Sequence, residues 1–344
     1  MTPHIDREIR TQGAAWRSAL QVLRERADAL SDVLERARGR EVRFLGSGSS
    51  YYLGVAASNA WGRRGWSARA LPSAEQVLHA DAFFTTDAPL AVAVSRSGAT
   101  TETLRAIEIL KRAGSPVVGI TTRRGTPMDE ICDVVVHLTG ADERSTVQTR
   151  SFSSQFLVVQ ALARLAAEGE EALAAFDVLP NLAEAWIDEA DAYVSAFADR
   201  FERVYVLGTG TRWGLAMEGA LKLKETSLTE SEAFQTLEFR HGPKSMVDSE
   251  TLVLGLVGAG TRDAELPVLR EMRALGATVV AIGPGLAVED GFSPLSFPAD
   301  LPPDVEDVLF LPPMQLLAYR RGVAKGLDPD HPRHLSFAVE LEGI

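Results

Sequence analysis

The residues best suited to chemistry lie in the second half of this 344-residue chain. The segment 217–225 reads Met-Glu-Gly-Ala-Leu-Lys-Leu-Lys-Glu, and His241 follows within a Phe-Arg-His-Gly-Pro run. On a helix, residues four and seven positions apart return to one face, so Glu218, Lys222 and Glu225 form one stripe. The two segments thus offer carboxylates and an imidazole, the groups that general acid–base chemistry uses. Taken alone, however, such a stripe is more typical of a solvated, ion-paired helix surface.

A second candidate site follows an apolar run in the first half of the chain. The run 90–94 leads into a Ser-Arg-Ser-Gly-Ala-Thr segment, and 101–113 then reads as a helix. Hydroxyl groups, a flexible glycine and free backbone N–H groups at a helix N-terminus are what a phosphate dianion needs, and an arginine could add a cation. A plain helix-capping cluster is the alternative. The candidate phosphate ligands are Ser95, Arg96, Ser97 and Thr100.

The elements that must position these residues occur twice. Sliding the sequence along itself by 162 residues aligns 42–49 with 204–211 without a gap, and His79 with His241. Each copy reads as an apolar run, a Gly/Ser/Thr turn, a helical pattern and another apolar run, which is typical of βαβ units around a buried parallel sheet. We therefore predict an α/β fold of two tandem doubly wound, flavodoxin-like domains with parallel sheets.

The two copies differ at the candidate phosphate loop. The aligned turn of the second copy, 257–262, reads Val-Gly-Ala-Gly-Thr-Arg and lacks both serines. A purely structural turn would have less reason to differ between the copies. We therefore predict a phosphate site in the first copy only.

Cofactor motifs are absent from the sequence. The Gly-Ser-Gly-Ser-Ser-Tyr turn at 46–51 fails the dinucleotide fingerprint because Tyr51 stands where a small residue is required. A Walker P-loop, a HExxH pair and a CxxC pair are also missing. His331 and His334 near Asp330 could in principle hold a metal, but their Pro-rich context does not favour one. We expect neither a cofactor nor a metal.

Composition and charge narrow the class of protein. With 46% hydrophobic and 24% charged residues, two domains with full cores are expected. The net charge of −12 repels nucleic acid and anionic membranes, and no local basic patch stands out. Cys132 is the only cysteine, and neither a signal peptide nor an apolar stretch of about 18 residues is evident. We expect a cytoplasmic protein that binds neither nucleic acid nor membrane.

Changes in pattern along the chain divide it into five predicted segments. The first is amphipathic with helical spacing, the third is rich in Ala and Leu, and the last is rich in Pro, Asp and His. The predicted limits are an N-terminal helical segment at 1–37, a first domain at 38–165, a helical linker at 166–195, a second domain at 196–325 and a tail over the active site at 326–344.

Together these motifs resemble the tandem sugar-isomerase (SIS) domains of glucosamine-6-phosphate synthase and its glutaminase-free relatives. Those relatives include amino-sugar-phosphate deaminases and fructosamine-phosphate deglycases. The resemblance runs from about residue 5 to the C-terminus. It rests on the two Gly/Ser turns, the Ser-x-Ser-Gly-x-Thr loop, the helix 218–225, the run 239–243 and the Asp-His-Pro-Arg segment at 330–333.

The resemblance implies a hexose 6-phosphate or amino-sugar 6-phosphate substrate and a homodimer. Glu225 would move a proton between C1 and C2, and His241 would open the sugar ring in the neighbouring subunit's site. This chemistry needs one base for the proton transfer and one group, such as an imidazole, that both donates and accepts protons near neutral pH. The implied substrate-binding residues are Ser50, Ser95, Ser97 and Thr100 at the phosphate and Ser49 and Thr149 along the sugar, to which we add Arg96, Glu218 and Lys222.

Two departures from the family pattern favour one reaction. The synthase uses an N-terminal cysteine to hydrolyse glutamine, whereas this sequence begins Met1-Thr2-Pro3, so we expect no glutaminase activity. The synthase also uses a tail lysine to form a Schiff base with the keto sugar, and Phe337 stands at that position. Ammonia release does not need that amine, because isomerising an open-chain 2-amino sugar phosphate gives a ketimine that water can hydrolyse.

We therefore expect an amino-sugar-phosphate deaminase, with glucosamine 6-phosphate as the leading substrate. A phosphosugar isomerase and a fructosamine-6-phosphate deglycase are alternatives. A non-catalytic sugar-phosphate sensor is a third. Sensors of this superfamily commonly carry a DNA-binding helix-turn-helix, and none is evident before residue 40.

Overall fold

A computed structural model of the protein describes residues 2–83, 88–288, 292–298 and 300–337. The chain divides into two compact units, each built around one parallel sheet. We refer to 11–144 with 148–181 and 336–337 as the first module, and to 2–10 with 145–147 and 182–335 as the second module. The segment limits predicted above, including the linker, stay predictions.

The first module has five parallel strands in the order β2-β1-β3-β4-β5. They are β1 (Val42–Gly46), β2 (Ala68–Pro72), β3 (Leu90–Val94), β4 (Val117–Thr121) and β5 (Val134–His137). The central strands β1, β3 and β4 are buried along their whole length, as expected for a parallel sheet covered on both faces. The helices are α2 (Gln12–Glu25), α3 (Ala27–Arg36), α4 (Ser49–Gly62), α5 (Ser73–Leu78), α6 (Thr101–Arg112), α7 (Met128–Ile131) and α8 (Arg150–Glu168), with short 3-10 helices at Ala80–Phe83, Thr139–Ala141 and Glu170–Phe176.

The second module repeats this plan with strand order β10-β9-β8-β6-β7. Its strands are β6 (Arg203–Gly208), β7 (Glu230–Gln235), β8 (Thr251–Leu256), β9 (Thr278–Pro284) and β10 (Ser293–Phe297). Its helices are α1 (His4–Arg10), most of α9 (Leu179–Ser195), α10 (Thr211–Ser227), α11 (Arg262–Ala274), α12 (Pro303–Leu309) and α13 (Leu311–Ala324), with short 3-10 helices at Glu238–Arg240 and Pro243–Met246.

The predicted fold class is confirmed. Read from β7, the second sheet has the same order as the first, and the 162-residue shift places β1 on β6 and β3 on β8. This is the flavodoxin-like order of a doubly wound sheet. In such a sheet, ligands bind at the carboxyl ends of the strands where the strand order reverses. Those switch points lie between β1 and β3 and between β6 and β8.

Two glycines allow α10 and α13 to approach closely in the second module. A Cβ added to Gly219 would lie 2.4 Å from the sulfur of Met314, and one added to Gly322 would lie 2.6 Å from the carbonyl oxygen of Thr226. Larger side chains would hold the two helices apart. This contact therefore covers one face of α10, the helix that carries the Glu/Lys stripe. No helix in the described ranges is both long and apolar enough to cross a membrane.

Candidate active site

The switch point of the first module gathers most of the predicted phosphate ligands. Ser49 and Ser50 open α4 directly after β1, and both side chains are buried. Gly46 permits this tight turn, since an added Cβ would lie 2.5 Å from the backbone carbon of Ser50. The loop 95–100 follows β3, which pairs in parallel with β1. Because parallel neighbours end at the same end of a sheet, both groups of hydroxyls lie at the carboxyl ends of their strands, beside the switch point.

The loop after β3 is held in shape by its own hydroxyls. The Ser95 hydroxyl lies 3.0 Å from that of Thr100 and accepts the N–H of Gly98 at 3.1 Å, while Ser97 accepts the N–H of Ala99 at 3.2 Å. Gly98 has φ of +67°, a conformation that favours glycine. Thr100 is the N-cap residue of α6, yet its side chain makes no capping bond to any described residue. The capping alternative therefore does not explain this threonine.

Arg96 lies beside a buried carboxylate in the same loop region. Its Nη1 is 3.7 Å from Oε2 of Glu143. The same carboxylate accepts the hydroxyl of Ser151 through Oε2, and it accepts the backbone N–H and the hydroxyl of Thr149 through Oε1 at 2.7 and 2.6 Å. Glu143 thus fixes both Arg96 and the start of α8. It gives no distinctive signal in the sequence, because an acidic residue in an Asp-Glu-Arg run reads as surface charge.

Phe337 contacts the same arginine from the C-terminal tail. Its carbonyl oxygen accepts a hydrogen bond from Nη2 of Arg96 at 2.9 Å. Its ring lies between two guanidinium groups, with the central carbons of Arg96 and Arg123 at 3.8 and 4.2 Å from the ring centroid. Such cation–π contacts are attractive. The position at which the resemblance implies a lysine is therefore an aromatic residue that binds two cations.

The corresponding place in the second module is filled by a side chain of the protein. Arg212, which aligns with Ser50, lies 3.4 Å from Glu265 and 3.7 Å from Asp307, and all three side chains are buried. A Cβ added to Gly258 would lie 2.2 Å from the guanidinium carbon. The loop after β8 is thus wrapped around an internal cation that two carboxylates already hold. This geometry supports the prediction of a phosphate site in the first copy only.

The Glu/Lys stripe of α10 is buried, so its interpretation as a solvated surface is wrong. Lys222 and Glu218 expose only 2% and 1% of their side chains, and Glu225 exposes 19%. The ammonium of Lys222 lies 3.2 Å from Glu218 and 2.5 Å from Glu225. Burial alone would lower the pKa of Lys222, but the two carboxylates outweigh it and raise that pKa above 10.5. The lysine is therefore cationic and is paired with one buried carboxylate and one partly exposed carboxylate.

His241 lies apart from this stripe within the second module. It follows the short helix Glu238–Arg240, is exposed, and donates its backbone N–H to Glu238 at 2.9 Å. Its ring makes no hydrogen bond with any residue that the structure describes, and so none with Glu225. The ring-opening role that the resemblance implies for His241 stays a prediction.

His331 and Asp330 in the tail are engaged by other contacts. His331 pairs with Asp328 at 2.8 Å, while Asp330 accepts the backbone N–H groups of His4 and Ile5 at 2.7 and 2.9 Å. Asp330 thus caps α1. Within the ranges described, no group of three or more His, Cys, Asp or Glu side chains is placed to hold a metal ion.

Sequence comparison gives a family and a set of partial-length relatives. Residues 37–165 and 199–284 match the SIS domain family. The glutamine–fructose-6-phosphate aminotransferase (isomerizing) of Pyrobaculum aerophilum is 30% identical over 318 residues, which are 88% of this chain and 52% of that protein. The chain thus spans about half the length of the curated relatives it matches.

Solved structures show the same fold over nearly the whole chain. The glucosamine-6-phosphate deaminase of Thermotoga maritima superposes with a TM-score of 0.77 at 28% identity, covering 94% of this chain and 100% of the other. The C-terminal domain of the glucosamine-fructose-6-phosphate aminotransferase of Francisella tularensis superposes with a TM-score of 0.84 at 22% identity, covering 96% and 99%. Two matched segments, one in each repeat, and a duplicated flavodoxin-like sheet establish that the chain belongs to the SIS domain family.

Proposed function

We propose that this chain isomerises amino-sugar 6-phosphates and releases ammonia, with glucosamine 6-phosphate as the leading substrate. The observation that carries the proposal is the buried ion triad of α10. Burying the Lys222 ammonium costs free energy unless opposite charges compensate it. Glu218 and Glu225 provide that compensation, and the Glu225 carboxylate is partly exposed. A partly exposed carboxylate held in place by a buried cation can act as the base that proton transfer between adjacent carbons requires.

The phosphate group is assigned to the loop after β3. Ser95, Ser97 and Thr100 bring three hydroxyls to the start of α6, a helix of 12 residues whose N-terminus favours an anion. The buried hydroxyls of Ser49 and Ser50 lie after the neighbouring strand. Binding a phosphate there would exchange hydroxyl–hydroxyl contacts for charge-assisted hydrogen bonds, which are stronger.

The proton steps are assigned to two residues of the second module. His241 protonates the ring oxygen and accepts the anomeric proton, which gives the open-chain aldehyde. Glu225 then removes the proton from C2 and returns it to C1, while one proton passes from the 2-amine to the C1 oxygen, so that the aldehyde becomes an alcohol and the 2-amine becomes a 2-imine. Water adds to that imine and ammonia leaves, giving the ketose 6-phosphate. General acid–base groups of this kind contribute about 10²–10⁴ in rate.

Two observations favour ammonia release over amino-sugar synthesis. The position that resembles the Schiff-base lysine of the synthase holds Phe337, whose ring is engaged by two arginines. The Thermotoga maritima relative named as a glucosamine-6-phosphate deaminase aligns over 94% of this chain. The isomerase and deglycase alternatives use the same base on other phosphosugars. A non-catalytic sensor would have no use for a carboxylate held by a buried cation at this position.

A panel of 6-phosphosugars tests the proposed reaction. The purified protein should release ammonia and ketose 6-phosphate from glucosamine 6-phosphate in equal amounts, with no need for glutamine. Interconversion of hexose phosphates that carry no amino group, without release of ammonia, would instead identify an isomerase. Release of a free amino acid from a fructosamine 6-phosphate would identify a deglycase, and binding without turnover of any compound would identify a sensor.

The phosphate assignment is tested separately by binding. Ser97→Ala with Thr100→Val should weaken glucosamine 6-phosphate by about tenfold or more in calorimetry, because the substrate loses two hydrogen bonds to its charged group. Ser58→Ala is the matched control, since it removes a hydroxyl from α4 that bonds only to the Gly54 carbonyl in the described structure. Unchanged affinity in the double variant would place the phosphate elsewhere.

We also propose that the active unit is a homodimer in which His241 serves the site of the other subunit. Glu225→Gln and His241→Ala proteins should each be inactive. Mixing them under conditions of subunit exchange should restore part of the activity. If the subunits demonstrably exchange and no activity returns, each site is built from one chain.

A further inference from the structure

Cationic side chains gather around two adjoining cavities of the first module. The larger cavity, of about 400 Å³, is lined by Arg38, Arg40 and Arg64 together with the half-buried ring of Trp66. The smaller one, of about 250 Å³, is lined by Arg36, Arg40, Lys111, Ser115 and Asp133. Arg40 lines both. We refer to the two cavities together as the cationic pocket.

This pocket lies at the amino ends of the strands, whereas the candidate phosphate loop lies at a carboxyl end. Its lining includes Ser67, Pro116 and Asp133, which immediately precede β2, β4 and β5. The loop 95–100 follows the carboxyl end of β3. A strand of five residues spans roughly 16 Å, so the two places are separate. Occupancy of one does not depend on contact with the other.

Two arginines of the pocket donate to backbone carbonyl groups, and one of them, Arg36, also interacts electrostatically with the Asp133 carboxylate. Nε of Arg36 donates to the carbonyl oxygen of Asp32 at 3.3 Å, and Nη1 of Arg40 donates to that of Ala88 at 3.1 Å. A carbonyl group orients a guanidinium without neutralising it. The chain has a net charge of −12, so two such cations on one cavity wall make this surface more positive than the average surface of the chain.

The remaining cations are balanced by carboxylates at the rim. Arg38 pairs with Glu35 at 2.7 Å and Arg64 with Glu168 at 3.3 Å. Lys111 pairs with Asp133 at 2.9 Å. The carboxylate partners of Arg38 and Arg64 are at least partly exposed, and exposed ion pairs are weak. A phosphate with more than one negative charge would compete effectively for these cations.

A buried hydroxyl in the smaller cavity also lacks a partner. Ser115 is only 3% exposed, and its Oγ makes no hydrogen bond with any residue in the described ranges. Leaving a buried hydroxyl unsatisfied is costly. A ligand oxygen between Ser115, Arg36 and Arg40 would satisfy the hydroxyl and both cations at once. The unpartnered hydroxyl is independent of the charge argument and points to the same occupant, an anion.

We propose that the cationic pocket is a second ligand site, which binds a small phosphorylated molecule. Its phosphate would lie near Ser115, Arg36 and Arg40, and its organic part would extend into the larger cavity against Trp66. Aromatic rings pack well against sugars and bases, and Trp66 is fixed edge-on against Trp61 with ring centroids 5.5 Å apart. The site lies away from the proposed catalytic residues, so its ligand would act as a regulator rather than as a substrate.

The test measures binding in a protein whose candidate phosphate loop is disabled. ADP, pyrophosphate and glucosamine 6-phosphate are titrated separately into the Ser97→Ala, Thr100→Val variant by calorimetry, after circular dichroism confirms its fold. We expect one of these phosphates to bind saturably. Adding Arg36→Gln and Arg40→Gln should weaken it by about tenfold or more, and Ser115→Ala by a smaller factor. If ADP or glucosamine 6-phosphate binds more tightly than pyrophosphate, its organic part contributes to binding.

The matched control carries Arg17→Gln and Arg24→Gln, which remove two arginines of α2 outside the pocket. This control should bind as the parent protein does. The proposal is overturned if none of the three phosphates binds the loop-disabled protein, or if the control weakens binding as much as the pocket variant. It is also overturned if a short DNA oligonucleotide binds more tightly than all three, since that would indicate a nucleic-acid surface. None of these outcomes depends on the deaminase activity.

Discussion

Replacing Lys222 by methionine tests whether the buried stripe of α10 holds the proposed base ready for proton transfer. The lysine ammonium lies 3.2 Å from Glu218 and 2.5 Å from Glu225, and its side chain is 2% exposed. Methionine keeps most of the apolar stem and removes the charge. The variant therefore leaves two carboxylates on one helix face without the buried cation between them.

The expected cost follows from this burial. Removing one partner of a buried ion pair lowers the free energy of unfolding by about 3–5 kcal/mol. Because the carboxylates raise the pKa of Lys222 above 10.5, its stabilisation is fully present below about pH 10 and is lost only as the pH rises through the folded value. The effect should therefore be visible at neutral pH. The lysine also holds the Glu225 carboxylate at 2.5 Å, so its loss should lower kcat/KM for ammonia release.

Urea unfolding and the kcat/KM of ammonia release measure the two effects. Lys224→Met is the matched control, because Lys224 is exposed on the same helix and the change in charge is the same. The control should alter stability by no more than about 0.5 kcal/mol and leave kcat/KM unchanged. If Lys222→Met lies within about 1 kcal/mol of the wild type and keeps its kcat/KM, the lysine does not hold the base, and the reasoning from burial fails.

The remaining predictions concern packing, the second switch point and the thiol. Gly219→Ala should destabilise the protein by about 1–3 kcal/mol, because its Cβ would lie 2.4 Å from the Met314 sulfur. Gly62 has open space around it, so Gly62→Ala should change stability by less than about 1 kcal/mol. Arg212→Ala should lower the free energy of unfolding in urea by about 3–5 kcal/mol, because two buried carboxylates lose their cation. Phosphate affinity in calorimetry should stay unchanged, because Arg212 lies far along the chain from the candidate loop. Burial raises the pKa of the Cys132 thiol to about 12, so a thiol reagent at about pH 8 should react slowly with native protein and rapidly in urea.

Each of these has a clear contrary result. Equal effects of the two glycine substitutions would show that α10 and α13 do not pack as closely as described. Loss of phosphate binding in a folded Arg212→Ala protein would place a phosphate in the second module. Rapid labelling of Cys132 in the native protein would show that the thiol is open to solvent.

The repeated sheet could be predicted from the sequence because its signals are local. Parallel strands covered on both faces read as continuous apolar runs, as in 90–94, and Gly/Ser turns mark where helices begin. The repeat then reinforces each signal, since the same pattern recurs 162 residues later. The loop 95–100 was predictable for the same reason, because its hydroxyls sit at a strand-to-helix junction.

Burial of charge could not be predicted in this way. Whether Lys222 is solvated or enclosed depends on which elements pack against α10, and these include α13, from a distant part of the sequence. Arg212 aligns with a serine of the first copy, but its ion pairs with Glu265 and Asp307 arise only when three separate elements meet. Three arginines of the cationic pocket come from the short run Arg-Ala-Arg-Gly-Arg at 36–40, but only the fold brings that run together with Arg64 and Lys111 around two cavities.

Ammonia release from glucosamine 6-phosphate by wild-type and Glu225→Gln protein is the most direct test of the proposed function. The wild type should yield ammonia and ketose 6-phosphate in a one-to-one ratio. Glu225→Gln should lower kcat by about 10²–10⁴ while substrate affinity stays within about threefold, because the group acts mainly in the transition state. Full activity in Glu225→Gln, or no ammonia from the wild type with any amino-sugar 6-phosphate, would contradict the assignment of Glu225 as the base of a deaminase.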